Sequence, residues 1–202
     1  MKRIIITTIL ISLFTPIFSQ TNASKNYYLK LSVGQVSFGS GDFSGYSFSF
    51  EASKNIVKRS TFALDKLLLG GELIFENGVK NPKVDDFLKS FHHVSSSILW
   101  AKASYYPLQS ILRGFNIQLG PIMGYSYRSS EGYVKRSVDA LGHVTRTSTL
   151  IFNNGFTYGY RISTGIEFNI SKKLLTGFRL DFSNNNEGEI NTLAGIKLEV
   201  KL

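Results

Sequence analysis

Past residue 25, apolar side chains recur at every second position, the period of extended strands whose successive side chains point to opposite faces. In 28–38, Leu29, Leu31 and Val33 share one face, and Lys30, Ser32 and Gly34 the other. In 45–53, Tyr46, Phe48, Phe50 and Ala52 oppose Ser47, Ser49 and Glu51. The segment 67–77 is noisier, with Leu67, Leu69, Leu73 and Phe75 against Leu68, Gly70, Glu72 and Glu76. Residues 114–127 set Phe115, Ile117, Leu119, Met123, Tyr125 and Tyr127 against Asn116, Gln118, Gly120, Gly124 and Ser126. The last three segments are the cleanest. Tyr158, Tyr160, Ile162, Ile166 and Phe168 oppose Gly159, Arg161, Ser163, Gly165 and Glu167. Leu174, Phe178, Leu180 and Phe182 oppose Gly177, Arg179, Asp181 and Ser183, and Ile190, Ala194, Ile196, Leu198 and Val200 oppose Asn191, Gly195, Lys197 and Glu199. An eighth strand lies within 93–106. Its phase is ambiguous, because Ile98, Leu99, Trp100 and Ala101 run together and a bulge there would switch faces.

Alternation alone does not say which face is inside; volume helps decide. Eight strands close into a barrel whose interior is just wide enough for its own side chains. The apolar face is bulky, whereas the other is dominated by Gly and Ser with isolated charges of both signs. Small residues and a few long charged ones suit a narrow lumen, while exposed strand glycine would only weaken a soluble sheet. The clean strands place no charge on the apolar face, where one Arg near a bilayer midplane would cost about 2–4 kcal/mol. Aromatics near strand ends (Tyr27, Tyr28, Tyr46, Tyr105, Tyr106, Tyr125, Tyr127, Tyr158 and Tyr160) match interfacial girdles. The expected fold is all-β: an eight-stranded antiparallel up-and-down transmembrane β-barrel, apolar outside and salt-bridged inside. A soluble ligand-binding barrel or sandwich is the alternative.

Residues 1–19 set the compartment. Met1-Lys2-Arg3 is a cationic start, Ile4 to Phe14 an apolar run, Thr15-Pro16 a break, and Ser19 a small residue for a peptidase. That is the layout of a cleaved secretory signal, and its apolar run falls short of the roughly 20 residues a membrane helix needs. Residues 20–25 are then a short tail and 26–202 the barrel, exported to the outer membrane of a Gram-negative bacterium. If the N-terminus lies in the periplasm, 107–113 and 171–173 are short periplasmic turns, and 78–92 and 128–149 long external loops. Residues 39–44 and 54–66 break that asymmetry. A length of 202 residues suits one domain, and the absence of cysteine excludes a disulfide scaffold, a thiol nucleophile, a Cys-based metal site and a lipidated N-terminal cysteine. The net charge of +9 is shared between the signal and scattered loops, and the aromatics follow the lipid-facing period rather than a basic groove, which argues against nucleic acid.

Lys102-Ala103-Ser104-Tyr105-Tyr106-Pro107, followed by Gly120-Pro121-Ile122-Met123-Gly124-Tyr125, resembles the central hairpin of small bacterial outer-membrane β-barrel domain proteins. So does Gly159-Tyr160-Arg161 through Gly165-Ile166-Glu167-Phe168, then Ser171-Lys172-Lys173 and Leu180-Asp181-Phe182-Ser183. That family is porin-like in name and shares an eight-stranded architecture with OmpX and the OmpA membrane domain. The resemblance covers nearly all of 26–202 and implies an architecture, not an active site. It also implies recognition by the outer-membrane assembly machinery, which typically reads a C-terminal aromatic residue where this chain has Val200-Lys201-Leu202.

On the polar face, Lys30, Arg161, Glu167, Arg179, Asp181, Lys197 and Glu199 are expected to pair across strands, since unpaired charges in a narrow lumen cost several kcal/mol. Glu51 and Glu72 extend this set, with Lys102 as a partner if its strand has the right phase. The network reads as a salt-bridged plug or, alternatively, as a gateable ion path; the plug is preferred. His92 and His93 follow Asp85-Asp86 and Ser90, an arrangement that invites a lipid-modifying enzyme but supplies neither a nucleophile elbow nor an oxyanion hole. Adjacent histidines on a strand point apart, so no metal site and no cofactor are expected. The loop 128–148 carries Arg128, Lys135, Arg136, His143 and Arg146 against Glu131 and Asp139. It is either an ordinary charged loop or a contact for lipopolysaccharide phosphates, which arginine binds bidentately. The expected function is a non-enzymatic envelope barrel with a structural or loop-binding role. A narrow channel, a lipid-modifying enzyme and a soluble periplasmic carrier are the alternatives.

Overall fold

The computed structural model describes residues 27–39, 43–56, 67–80, 92–107, 114–142, 144–186 and 188–202. The segments read from sequence as a signal (1–19) and a tail (20–25), with Asp85, Asp86, Ser90 and His143, lie outside the described residues. Eight strands follow in chain order: β1 (Tyr27–Phe38), β2 (Phe43–Asn55), β3 (Leu67–Lys80), β4 (His92–Tyr105), β5 (Asn116–Val138), β6 (Val144–Asn169), β7 (Leu174–Asn185) and β8 (Ile190–Lys201). Each pairs antiparallel with its sequence neighbours, and β8 pairs with β1 to close the barrel. Closure removes the two sheet edges, whose unpaired backbone groups lipid could not satisfy.

The two faces have opposite chemistry. Phe48, Leu119, Met123, Phe178, Leu180 and Ile196 are exposed outside, whereas Lys30, Glu72, Arg161 and Glu199 are buried within. Apolar side chains out and ionic ones in is the arrangement a bilayer imposes, and it is the reverse of a water-soluble barrel. The chain is a transmembrane β-barrel. In β4 the phase is uniform: Val94, Ser96, Ile98, Trp100, Lys102 and Ser104 are all buried, while Ser97 and Ala101 are exposed. The registers of β4 with β3 and β5 run through without a shift, so no bulge switches faces there. The run Ile98–Ala101 is apolar on both sides because Ile74, Ile98, Trp100 and Ile122 form an apolar patch inside the lumen.

Small residues make room for long ones. Arg179 is flanked in register by Gly165 on β6 and Gly195 on β8, and Arg161 by Gly120 on β5 and Ser183 on β7. Gly195 in turn faces Gly34 across the β8–β1 seam, where a Cβ on Gly34 would lie 2.6 Å from the Ala194 carbonyl oxygen and 2.9 Å from the Gly195 Cα. That oxygen belongs to the ladder and cannot withdraw. Gly34→Val should therefore destabilise the closed barrel by at least the about 1–3 kcal/mol of an overpacked core. Urea titration of the folded, heat-modifiable gel species checks this.

The largest departure from the sequence expectation lies between β5 and β6. Residues 128–149 are not a loop: β5 continues to Val138 and β6 begins at Val144. Thr145, Thr147, Thr149 and Ile151 supply the β-branched positions that favour strand. The turn is closed by Asp139, whose carbonyl accepts from the Gly142 N–H (3.0 Å) and whose carboxylate accepts from the Leu141 N–H (2.9 Å), with Gly142 at φ +81°. Pairing of β5 with β4 stops at Ser130, and pairing of β6 with β7 stops at Gly159. The distal β5–β6 hairpin thus leaves the wall as a two-stranded ribbon, with eight residues of β5 beyond Ser130, about 26 Å at 3.3 Å per residue. A bulge at its root sets Gly132 and Tyr133 against Thr149 and bends the ribbon relative to the wall.

Candidate functional site

The lumen carries the densest constellation of ionisable side chains. Among the described residues, five cations (Lys30, Lys102, Arg161, Arg179 and Lys197) and six carboxylates (Glu51, Glu72, Glu76, Glu167, Asp181 and Glu199) are buried there. The strands bring them together as one register row: Glu199, Lys30, Glu51 and Glu72 are successive cross-strand neighbours on β8, β1, β2 and β3. The row continues to Trp100 on β4.

Three linked groups result. Toward the end where the chain enters and leaves, Lys30 Nζ lies 2.9 Å from Glu199, 3.3 Å from Glu167 and 3.7 Å from Glu51, and Lys197 Nζ lies 2.8 Å from Glu167. Tyr106, from the turn after β4, folds inward so that its hydroxyl sits 2.9 and 3.0 Å from the two Glu167 oxygens. At mid-height Lys102 donates to Glu72 (2.5 Å), lies 2.8 Å from Glu51 and reaches Gln118 (2.9 Å). Arg179 bridges Glu72 and Asp181 and donates to Ser32 Oγ at 2.9 Å. Nearer the ribbon end, Arg161 binds Glu76 at 2.6 Å and lies 3.5 Å from Asp181, and Ser96 donates to Glu76 at 3.3 Å. The Trp100 ring stands among these cations, with Lys102 Nζ 4.4 Å from its centroid and the Arg179 and Arg161 guanidinium carbons 5.8 and 5.9 Å away. Cations over the face of a desolvated tryptophan add attraction to the carboxylate pairs.

Apolar layers close both ends of this network. Val36, Phe38, Val94 and Leu193 cluster in the ribbon-side mouth with Phe43 packed against them, and Tyr28, Leu68 and Tyr106 cluster at the other end. Tyr28 and Tyr106 thus face the lumen and are not part of the outer aromatic girdle, which keeps Tyr46, Tyr125, Tyr158 and Tyr160 exposed on the wall. Inward-facing Val36, Phe38 and Leu193 broke the polar pattern at strand ends. They keep the inward phase but not its polar composition, so alternation alone does not assign them to the lumen.

Lys30, Arg161, Glu167, Arg179, Asp181, Lys197 and Glu199 all lie within one contiguous network, joined by Glu51, Glu72 and Lys102. Sequence reasoning left Glu76 out of this set, although it repeats the phase of Glu72, and it missed Trp100 and Tyr106. The external basic group divides. Arg128 faces inward at the mouth and pairs with Glu189, so it is no loop cation. Lys135, Arg136 and Arg146 are on the ribbon strands, with residues 136 and 146 directly opposed in register. His92 and His93 are the first residues of β4 and diverge: the His92 ring stacks on Phe43 (5.8 Å), and the His93 ring meets Tyr127 edge-on (5.9 Å). Neither contact leaves the pair sharing one substrate, and among the described residues no group of three His, Asp or Glu is placed to hold a metal.

No family model matches the chain, and no curated protein is similar to it in sequence. Solved structures are similar in fold. Neisserial surface protein A is 14% identical with a TM-score of 0.53, over 87% of this chain and 97% of that one. Ail, the attachment invasion locus protein of Yersinia pestis, is 8% identical with a TM-score of 0.43, over 86% of this chain and 99% of that one. The N-terminal β-barrel domain of Pseudomonas aeruginosa OprF is 11% identical with a TM-score of 0.35, over 87% and 98%. The first of these likenesses places the fold among eight-stranded barrels of the outer-membrane type.

Proposed function

We propose that this protein is a non-enzymatic outer-membrane barrel whose lumen is a structural plug and whose functional surface is the β5–β6 ribbon, displayed outside the cell. The observation that carries the reading is the occupancy of the lumen. Ion pairs run from Lys30 to Arg161 without interruption, and their members are almost wholly withdrawn from solvent, Arg161 at 1% and Glu72 at 0% exposure. A conducting pore needs a water-filled thread, and here each carboxylate that could line one is held by a neighbouring cation. The apolar clusters at the two mouths add barriers that an ion would have to dehydrate to cross.

Export through the signal at residues 1–19 and insertion with both chain ends in the periplasm put the ribbon on the outer face, where the longer connections of such barrels project. Outer-membrane lipid then covers the apolar wall, and the assembly machinery is the partner during insertion. The reading is tested by refolding residues 20–202 into detergent and then into a planar bilayer. The expected results are a heat-modifiable band, the mark of a closed barrel, and no discrete current steps. Steps of constant size would instead establish a narrow channel.

A further inference from the structure

We propose that the rim at which the chain enters and leaves the barrel binds anionic phospholipid headgroups through Lys54, Lys172, Lys173 and Lys201. The proposal needs the wall to lie in a bilayer and holds whether or not the lumen conducts. In the orientation proposed above, these lipids are those of the periplasmic leaflet. The site begins where the apolar wall stops. On β2 the lipid-facing phase of the exposed Phe48 and Phe50 reaches Lys54. Lys54 is flanked in register by Tyr27 on β1 and Leu69 on β3, and its Nζ lies 5.1 Å from the centre of the Tyr27 ring. A cation held against a girdle tyrosine stands at the height of lipid headgroups, with its aliphatic stem along the apolar wall. The other three lysines cluster where β7 begins and β8 ends. Lys172 and Lys173 follow the exposed Ile170, and Lys201 lies between the exposed Val200 and Leu202.

The turn that carries Lys172 and Lys173 is fixed without a ligand. Ser171 Oγ accepts from the N–H groups of Lys173 (3.3 Å) and Leu174 (3.1 Å), and the Leu174 carbonyl accepts from those of Ile170 (2.9 Å) and Ser171 (3.0 Å). The Lys201 N–H donates to the Lys173 carbonyl (2.8 Å), which sets these two lysines side by side across the β7–β8 seam. Lys172, Lys173 and Lys201 are all exposed. Cations this close repel, and a phosphate shared between them removes that cost and adds charge-assisted hydrogen bonds. Among the described residues, the carboxylates toward this end, Glu51, Glu167 and Glu199, are buried in the lumen with Lys102, Lys197 and Lys30. The connections 57–66 and 108–113, outside the described residues, add four cations and one carboxylate in sequence, so they do not offset the charge. Lys201 on β8 and Lys54 on β2 are two strand spacings apart around the wall, about 10 Å. That span fits several headgroups of a charged surface and not one small anion. Each lysine near an anionic bilayer is worth roughly fivefold in partitioning.

Native mass spectrometry of the refolded protein in nonionic detergent, with phosphatidylglycerol or chain-matched phosphatidylcholine added, counts the lipids retained and ranks their affinities. The parent should prefer phosphatidylglycerol by at least about twentyfold. Lys172→Gln/Lys173→Gln should bind that lipid roughly twentyfold more weakly, at fivefold for each lysine, with phosphatidylcholine unchanged. Replacing all four lysines by glutamine should abolish the preference, and replacing all four by arginine should keep it. Lys80→Gln, at the opposite end of the barrel, should behave as the parent does. Equal retention of the two lipids by the parent, or an undiminished preference in the fourfold glutamine variant, overturns the proposal. So does a parent that favours soluble peptidoglycan fragments over phosphatidylglycerol, which would assign the lysines to the cell wall. A heat-modifiable gel band verifies that each variant has closed. If the glutamine variant gives none, the parent in raised ammonium acetate decides: screening should reduce the preference, and an unchanged one overturns the proposal.

Discussion

Arg179→Met is expected to destabilise the folded barrel by about 3–5 kcal/mol, the usual consequence of removing one partner from a buried ion network. Arg179 holds Glu72 and Asp181 together and donates to Ser32. Methionine fills similar volume but leaves four buried cations against six carboxylates where the parent has five against six. Glu72 keeps Lys102 at 2.5 Å, whereas Asp181 is left with Arg161 at 3.5 Å. The variant therefore fails mainly at Asp181. The double variant Arg179→Met/Asp181→Asn returns the lumen to an excess of one carboxylate and should recover part of the loss. Urea unfolding in detergent micelles measures both. Equal stability of parent and single variant would mean that the lumen is hydrated and the charges are solvated one by one, which is also what a conducting pore requires.

The same pair of residues shows what could be read in advance. Arg179 and Asp181 were legible because β7 alternates cleanly from Gly177 to Ser183, its membrane-level stretch, with Phe178, Leu180 and Phe182 on the lipid phase. Gly165 and Gly195 beside Arg179 belong to the same logic, since the glycine-rich phase and the charged phase coincide wherever a long side chain has to cross the lumen. What escaped was set by position along the barrel axis. At the mouths the lumen needs apolar seals, so Phe38, Leu193 and Tyr106 sit on the polar phase, and Tyr28 and Tyr106 pass for girdle residues. Beyond the wall no lipid enforces alternation. Residues 128–149 show Ser, Thr, Arg and Gly in a loop-like mixture, yet they pair through a turn that Asp139 and Gly142 close. The surface proposed to carry the function falls in this stretch, where the periodic signal stops.

Leu180→Arg tests the premise beneath all of this, that the greasy wall touches acyl chains. Leu180 lies midway along β7, 60% exposed, between Phe178 and Phe182 on the same face. Its cross-strand neighbours are Ala194 and Thr164, so an arginine has room and its cost is not a clash. In a bilayer the expected loss is about 2–4 kcal/mol at mid-depth, falling to about 0–1 near the interface. Phe168→Arg, one residue before the end of β6, should therefore be several-fold milder than Leu180→Arg. In water the order would not depend on depth, and both charges would be tolerated as ordinary surface substitutions. Measuring both variants refolded into liposomes, with Leu180→Met as the apolar control, separates the two environments. Equal and small effects would make the wall a solvent-facing surface, and the lumen's ion pairs would then need a different explanation. A steep depth dependence would fix the bilayer midplane near Leu180, and with it the level of the Arg179–Glu72–Lys102 group that crosses the lumen beside it.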